Sequence, residues 1–457
     1  MLNLTTDKKA IIGYCLLLVL TLSYLMRIGY TTSDDVQIAQ FTFLEAYQNA
    51  IPSGRLTWVT SIPTMIISEI SGDLWYRKIF RILWVLALFH SAYLLLRERL
   101  AILPSLFVSL IPILLFRNDW DHHAFNSYPG LVVYGLACYF YSLHIFNLYI
   151  TNKRIIYCLL SCILFGMSFV TELFPTLIVF LLFYPTGTIR SRLKGLVPHF
   201  IITTIFILAY ISFKGDVDSN RSLIFGWKAI KTWVTYSYAQ IYIIKWASFN
   251  EIFNIGLLKI ISILGSIYII IYIIYSNNKL KITIAYPMIL WWILFSAWLN
   301  IPVALTSVYQ DWVYVHGSKA YLYSAISNFS MSIAIGLTIL YILKRFNSRL
   351  LLNLVTVILV SIFFINNVYS YKIYHQQRYS HERWILIDKL AKNNFFNSDQ
   401  CYLAPWLFDL NGIVHPRTDD YWNSYLLRNW GIRTRIIKNM SECSNYELLN
   451  DPRSRPH

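Results

Sequence analysis

The run LLLNLVTVILVSIFFINNVY at residues 350–369 decides the fold class, because it carries no acidic or basic side chain. A helix that crosses the bilayer core needs about 20 apolar residues, with a tolerance of roughly 17–25. Comparable runs recur along the chain, so the sequence predicts an all-α polytopic membrane protein with about eleven transmembrane helices. The predicted spans are residues 11–27, 79–96, 100–116, 129–150, 155–171, 174–189, 197–213, 255–275, 282–300, 324–343 and 350–369.

The amino-acid composition supports the same fold class. Of the 457 residues, 56% are hydrophobic, 17% are aromatic and only 14% are charged, whereas a soluble chain carries about 25% charged residues. This argues strongly against a soluble enzyme. The net charge is +16, but the basic residues lie in the loops between apolar runs rather than on one face or tail. Nucleic acid is therefore not a predicted partner.

One pair of predicted spans is ambiguous. Glu172 and Pro175 interrupt the join between the runs 155–171 and 174–189, and the second run is short. A broken or re-entrant pair is therefore the alternative to two full spans.

The orientation follows from the basic residues of the short loops, which concentrate on the cytoplasmic side of a membrane protein. One set of loops carries Lys8, Lys9, Arg97, Arg99, Lys153, Arg154, Arg190, Arg192, Lys194, Lys279, Lys281, Lys344, Arg345 and Arg349. The short loops of the other set carry only Arg117 and Lys319. We therefore expect a cytoplasmic N-terminus and a C-terminus on the outer side.

Two domains are predicted, a membrane body at residues 1–369 and an outer C-terminal domain at 370–457. The body includes two long outer segments, 28–78 and 214–254, whose amphipathic stretches favour helices lying in the membrane interface. The polar tail is long enough for a small α/β or irregular domain. Its two cysteines, Cys401 and Cys443, are expected to form a disulfide in an oxidising compartment; the alternative is two unpaired thiols.

The adjacent carboxylates Asp34 and Asp35 follow the first predicted span. One of them could accept a proton from an attacking hydroxyl, or the pair could bind a divalent cation such as Mg²⁺ or Mn²⁺. The alternative is a helix N-cap, a position that Asp favours.

The outer loop between the third and fourth predicted spans reads RNDWDHH at residues 117–123. Its acids and histidines could bind a metal or shuttle protons, and its arginine could hold a phosphate. An ordinary solvated loop is the alternative. The candidate residues are Arg117, Asp119, Asp121, His122 and His123. Glu172 is a further acid/base candidate, because an ionisable side chain at membrane depth is costly; alternatively it lies in the headgroup region.

Cationic residues at the outer side are candidates for binding a phosphate. His316 and Lys319 would share one face if the loop before the tenth predicted span were helical. Arg77, Lys78 and Arg81 precede or begin the second predicted span, against the charge rule. The alternatives are a solvated interfacial loop for the first group and snorkelling side chains for the second.

The mixture of acids and histidines is expected on the outer side alone, with short basic loops on the cytoplasmic side. This asymmetry predicts chemistry or binding at the outer leaflet. The sequence also lacks P-loop, GxGxxG, HExxH and CxxC motifs, so it gives no support for nucleotide chemistry or zinc hydrolysis.

One predicted span followed by a long outer loop that opens with Asp34-Asp35 resembles the GT-C class of integral membrane glycosyltransferases. Within this class, the chain is similar to the bacterial and phage-encoded glucosyltransferases that modify O-antigen. The resemblance implies a catalytic role for Asp34 and Asp35, with the identity of the base left open. It also implies a multi-pass protein of the bacterial inner membrane with a periplasmic C-terminal domain.

The same resemblance implies the substrates. The donor would be a sugar, with glucose favoured, on polyprenyl phosphate, and the acceptor a lipid-linked or polymeric glycan such as lipopolysaccharide O-antigen. A divalent cation would be optional, because the leaving group is already a phosphate ester. The alternatives are an O-antigen polymerase and a non-enzymatic flippase or transporter of lipid-linked glycans, the latter predicting charged residues within the spans and inverted repeats.

Overall fold

The structure is a computed structural model that describes residues 5–23, 44, 74–115, 124–125, 131–171, 173–213, 223–238, 257–277, 286–315, 322–408, 422–423, 425–427 and 430–450. These residues are mostly helical. The first eight helices are α1 (Thr6–Leu22), α2 (Leu74–Arg97), α3 (Ile102–Leu114), α4 (Leu131–Asn152), α5 (Ile155–Met167), α6 (Ile178–Phe183), α7 (Ile189–Gly195) and α8 (Val197–Phe213). Eight more follow, α9 (Trp227–Tyr238), α10 (Leu257–Asn277), α11 (Tyr286–Trp298), α12 (Ile301–Ala304), α13 (Ser307–Tyr314), α14 (Leu322–Phe346), α15 (Arg349–Lys392) and α16 (Pro405–Phe408).

Six of the described helices are long and apolar enough to cross a membrane. Each coincides with a predicted span, which confirms a helical polytopic membrane protein. The six segments are Lys78–Arg97, Leu131–Asn152, Leu258–Ser276, Tyr286–Ala304, Tyr323–Phe346 and Arg349–Ser370. Helices α7 and α8, which meet at a bend of 53°, would together form a seventh. The count of eleven and the orientation stay predictions.

The helices pack through aromatic side chains and through small residues at close contacts. Tyr139 and Phe140 of α4 are fully buried, and Tyr139 stacks on Phe295 of α11 with ring centroids 5.5 Å apart. Ser296 and Ser327 each donate a hydrogen bond to the other's carbonyl, at 2.7 and 2.8 Å, and so join α11 to α14. Such contacts hold helices together in lipid, where burial of apolar surface between helices gives little driving force.

One end of the bundle, which we call the basic face, carries three turns, of which one contacts another turn and one contacts helix α7. The Arg99 guanidinium donates to the Pro185 carbonyl at 2.5 Å, and the Lys153 ammonium donates to Ser191 Oγ at 3.0 Å. The turns are residues 98–101, 152–154 and 184–188.

The opposite end, where α2 and α4 begin and α3 ends, is called the tail face. Asn366 of α15 donates to the Leu114 carbonyl at the end of α3, at 3.0 Å. Helix α15 therefore passes this face on its way to the C-terminal residues.

The ambiguous pair of predicted spans is a hairpin of short helices. Helix α5 has 13 residues, and a 3-10 helix at Phe174–Leu177 leads into α6, which ends at Phe183 near the basic face. A 13-residue helix rises about 20 Å, short of the ~30 Å bilayer core. Both helices are shorter than the predicted spans 155–171 and 174–189, and neither is among the helices long and apolar enough to cross a membrane.

Helix α15 has 44 residues and continues through the predicted domain boundary at 369/370. Beyond it lies a parallel three-stranded sheet in which β1 (Cys401–Leu403) is central, between β2 (Arg435–Ile437) and β3 (Tyr446–Leu448). The end of α15 packs against this unit through Ile387 and Ala391, in an apolar core separate from that of the helix bundle. Cys401 and Cys443 form a disulfide.

Candidate functional site

Most of the sequence-predicted site residues fall on segments whose structure is not described. These are Asp34, Asp35, Arg117, Asp119, Asp121, His122, His123, Glu172, His316 and Lys319. Arg77 lies in α2, but its side chain is outside the described residues. Their roles stay predictions.

Two cations are buried at the tail-face end of α2. The Arg81 side chain is 0% exposed and Lys78 is 8% exposed. They are three residues apart, so they share one face of the helix. A cation placed out of water is costly unless a negative charge or hydrogen-bond acceptors surround it. Snorkelling to solvent, the alternative considered from the sequence, does not apply to side chains buried to this degree.

One turn after Arg81, an aromatic pair joins α2 to the beginning of α4. The Trp84 and Tyr134 rings meet edge to face with centroids 4.4 Å apart. The next residue, Gly135, touches the tip of the hairpin so closely that an added Cβ would lie 2.5 Å from Val170 and 2.9 Å from Phe174. The hairpin tip is therefore fixed against the tail-face end of α4.

The position of this contact matters because Glu172 lies between the residues that make it. Thr171 and Leu173, on either side of Glu172, are half-buried and buried respectively. Thr171 and Leu173 are thus held at the same end of the bundle as Lys78 and Arg81.

A second polar group, the basic-face polar cluster, joins four segments of the chain at the opposite end. Glu98 contacts His144 Nδ1 at 2.7 Å and accepts a hydrogen bond from Asn147 at 2.8 Å. The side-chain oxygen Oδ1 of Asn147 accepts from Arg192 at 2.7 Å and from Thr186 at 2.9 Å. These five side chains connect the turn after α2 with α4, α7 and the turn before α7.

Arg192 is the centre of this cluster and is 1% exposed. Its Nε donates to the Leu181 carbonyl at 2.8 Å, and its Nη2 donates to the same oxygen. The last carbonyls of a helix have no partner within it, so Arg192 satisfies the end of α6. Its guanidinium also lies 5.0 Å from the Phe146 ring centroid, within cation–π distance.

The basic-face polar cluster corrects the expectation that acids and histidines mix on one side only. That expectation rested on residues close in sequence, whereas Glu98, His144 and Arg192 come together only through the fold. The sequence predicts Arg192 to be a basic loop residue, whereas its side chain is buried. A sequence signal for the cluster existed: Glu98 is an acid between two arginines, and His144 and Asn147 are three residues apart in an apolar span.

Burial raises the pKa of Glu98 above its ordinary value, because the charged carboxylate loses solvation. The contact with His144, the hydrogen bond from Asn147 and the charge of Arg192 oppose this rise. Burial is the larger effect, so protonation of Glu98 is favoured in the folded protein relative to an exposed glutamate.

A third polar group lies between α4, α5 and α8. Ser161 Oγ is 2.9 Å from His199 Nε2, and Ser142 donates to the Ser161 carbonyl at 2.8 Å. The Cys162 sulfur lies 3.5 Å from His199 Nδ1, and all four side chains are buried. These contacts join three helices, and Cys162 belongs to this packing.

Within the described residues, no three His, Cys, Asp or Glu side chains lie close enough together to hold a metal ion. The aspartates considered for a divalent cation lie outside those residues.

Comparisons of the chain with family models, with curated proteins and with solved structures found no match.

Proposed function

We propose that this protein is a GT-C-like glycosyltransferase that moves a sugar, with glucose favoured, from polyprenyl phosphate to a glycan acceptor such as lipopolysaccharide O-antigen. The observation that carries the proposal is the burial of Lys78 and Arg81 together at the tail face. Two cations inside a bundle attract an anion, and the phosphate of a lipid-linked donor would enter from the surrounding membrane. The placement of Thr171 and Leu173, the sequence neighbours of Glu172, at the same end adds support.

In the proposed reaction, a hydroxyl oxygen of the acceptor attacks the anomeric carbon of the donor sugar. The bond from that carbon to the phosphate oxygen breaks, and polyprenyl phosphate leaves with the electron pair. Asp34 or Asp35 takes the hydroxyl proton as general base. Lys78 and Arg81 stabilise the charge that develops on the departing phosphate, which is the effect expected of preorganised cations.

The location belongs to the same proposal. The membrane would be the bacterial inner membrane, with the basic face towards the cytoplasm and the disulfide-bonded C-terminal unit in the periplasm. This orientation agrees with the basic residues of the loops and with a disulfide in an oxidising compartment.

A transporter or flippase of lipid-linked glycans is the second candidate. The basic-face polar cluster favours it, because buried ionisable side chains within membrane proteins often line substrate or proton pathways. An O-antigen polymerase is a third candidate, which would act on the same class of lipid-linked substrate.

The test is mass spectrometry of the surface polysaccharide from cells lacking the gene. These cells are complemented with wild type, Asp34→Asn, Asp35→Asn, Arg81→Gln or the exposed control Arg190→Gln. The proposal expects a hexose-sized loss in the deletion strain, in at least one aspartate variant and in Arg81→Gln, at normal protein level, and full modification with wild type and the control.

Other outcomes contradict the proposal in different ways. A collapse of chain length with an unchanged repeat unit would favour the polymerase. An identical glycan in all strains would reject the O-antigen acceptor and favour transport. An equal loss of the hexose modification in Arg81→Gln and Arg190→Gln would contradict the role proposed for Lys78 and Arg81 in binding the phosphate.

A further inference from the structure

Helix α9 is attached to the tail face by one of its sides. The Trp233 indole donates to the Ala297 carbonyl at 2.8 Å, and Asn300 donates to Ser237 Oγ at 3.3 Å. Thr232 and Tyr236, which lie on the same side of the helix, are fully buried.

The segment that leads into α9 is tied to the same part of the bundle. The Ile224 amide donates to the Leu305 carbonyl at 2.8 Å, and the Gln310 side chain donates to the Ile224 carbonyl at 2.9 Å. Leu223 forms an antiparallel bridge with Thr306. Helix α9 is therefore held at the level where the neighbouring transmembrane helices end.

A second side of α9 is apolar and exposed. Trp227 is 75% exposed, and Ile230 and Val234 continue the same side at spacings of three and four residues. Phe225, just before the helix, is 76% exposed. Large apolar side chains presented beside the ends of membrane spans would contact the acyl chains at the boundary with the headgroups.

A third side of α9 is cationic. At about 100° per residue, Lys228 and Lys231 lie between the apolar side and the buried side, with Lys231 next to Trp227 and Lys228 nearer to Thr232. Both side chains are exposed, and their ammonium groups lie 5.4 and 4.4 Å from the centroid of the same Tyr314 ring. Two like charges that converge on one ring repel each other, and an anion bound between them would remove this repulsion.

We propose that α9 lies in the membrane interface and that Lys228 and Lys231, with Tyr314, bind the phosphate of an anionic phospholipid. The order of buried, apolar and cationic sides around one helix is the arrangement by which interfacial helices bind anionic lipid surfaces. The lipid tails would run along the apolar side from Trp227 to Val234. This proposal does not depend on the proposed enzymatic function, because a membrane protein of any function meets phospholipid here.

The test uses the full chain purified in detergent and native mass spectrometry with added phosphatidylglycerol or phosphatidylcholine. We expect Lys228→Gln/Lys231→Gln to weaken phosphatidylglycerol binding about thirtyfold, with phosphatidylcholine binding unchanged. Lys228→Arg/Lys231→Arg should keep the affinity. The matched control is Lys389→Gln/Lys392→Gln, which removes two exposed lysines at the same spacing from α15.

Three results would overturn the proposal. The first is equal loss of phosphatidylglycerol binding in the two glutamine variants, and the second is no preference of the wild type for phosphatidylglycerol. The third is that Lys228→Gln/Lys231→Gln loses binding of polyprenyl phosphate but retains binding of phosphatidylglycerol. This result would assign the lysine pair to the donor site instead.

Tryptophan fluorescence tests whether the apolar side of α9 contacts the acyl chains. The protein is placed in bilayers of acyl-brominated phospholipid, whose bromines quench the fluorescence of nearby tryptophans. Trp227→Phe should lower the quenched share of the fluorescence. Trp406→Phe removes a tryptophan buried in the C-terminal core and should not lower it. If the quenched share is the same in wild type and Trp227→Phe, α9 does not lie against the acyl chains.

Discussion

At the scale of single residues, Arg192 satisfies groups from three parts of the chain, and these groups would stay buried without it. Arg192→Met removes the hydrogen bonds that Arg192 donates to Asn147, Thr186 and the end of α6, and Asn147 Oδ1 keeps only the hydrogen bond from Thr186. We expect a loss of about 3 kcal/mol in the free energy of unfolding. Thermal unfolding of the purified protein measures this. The control is Arg190→Met, an exposed arginine two residues away; an equal effect of both changes would contradict the role given to Arg192.

Glu98 makes a residue-scale prediction about pH. Because its pKa is raised in the folded protein, the folded state binds more protons than the unfolded state between the ordinary carboxyl pKa and the raised one. The contribution of Glu98 to stability is therefore largest below the ordinary value and decreases as the pH rises through this interval.

Glu98→Gln removes this ionisation and keeps a side chain of the same size. We expect the decrease in stability with rising pH, above about pH 4.3, to be shallower in Glu98→Gln than in wild type. Denaturation at a series of pH values measures the slope. Parallel curves for the two proteins would show that Glu98 does not titrate as proposed.

Local sequence patterns indicate candidate residues but not the contacts between distant residues. Asp34 and Asp35 are candidates because two acids follow an apolar run, a signal that is local in sequence. The contact between Glu98 and His144 joins residues 46 positions apart, and no local pattern specifies which polar residues of different helices will meet. The burial of Lys78 was likewise not predicted, because burial depends on neighbouring segments.

At the scale of elements, the hairpin of α5 and α6 depends on the absence of a side chain at Gly135. Gly135→Ala would place a Cβ within 2.5 Å of Val170, so the hairpin tip must move. We expect a loss of about 1–3 kcal/mol in stability, measured by unfolding in detergent. The control is Gly265→Ala in α10, where an added Cβ meets nothing within 4 Å and better helix propensity is worth up to about 1 kcal/mol.

Gly135→Ala also distinguishes a loss of activity from a loss of stability. If the interval around Glu172 contributes to the proposed transfer, Gly135→Ala should lower activity more than its stability loss explains, while Gly265→Ala keeps it. Equal stability of the two variants would show that the hairpin tip adapts without cost.

The elements were more predictable from sequence than the contacts between them. The run 350–369 is part of one helix, because a helix satisfies the backbone hydrogen bonds of a long apolar segment within the bilayer. The exact ends were less predictable: α15 continues to Lys392, since hydropathy marks where a membrane ends and not where a helix ends. The shortness of α5 and α6 was only an alternative, because their hydropathy resembles that of full spans.

At the scale of the whole molecule, the disulfide joins β1 to the segment before β3 across 42 positions. Reduction, or Cys443→Ser, should destabilise the C-terminal unit by about 2–5 kcal/mol, because the unfolded tail gains freedom. The helix bundle should keep its stability, since its apolar core is separate. Limited proteolysis with and without reductant measures both; Cys15→Ser, at an exposed free cysteine, is the control. Equal proteolysis of Cys443→Ser and Cys15→Ser would contradict the prediction.

Helix α15 links the helix bundle to the C-terminal unit without a loop. The number of residues in this helix therefore determines how far the C-terminal unit lies along the helix axis and which way it faces. Each residue inserted into Arg349–Lys392 beyond the membrane segment would advance everything after it by about 1.5 Å and turn it by about 100°. Seven inserted residues would return the C-terminal unit to within roughly 20° of its original rotation about the helix axis. They would also move it about 10 Å further along that axis. The direction that the C-terminal unit faces and its distance from the bilayer are therefore set by residue count, and each can be changed almost independently of the other.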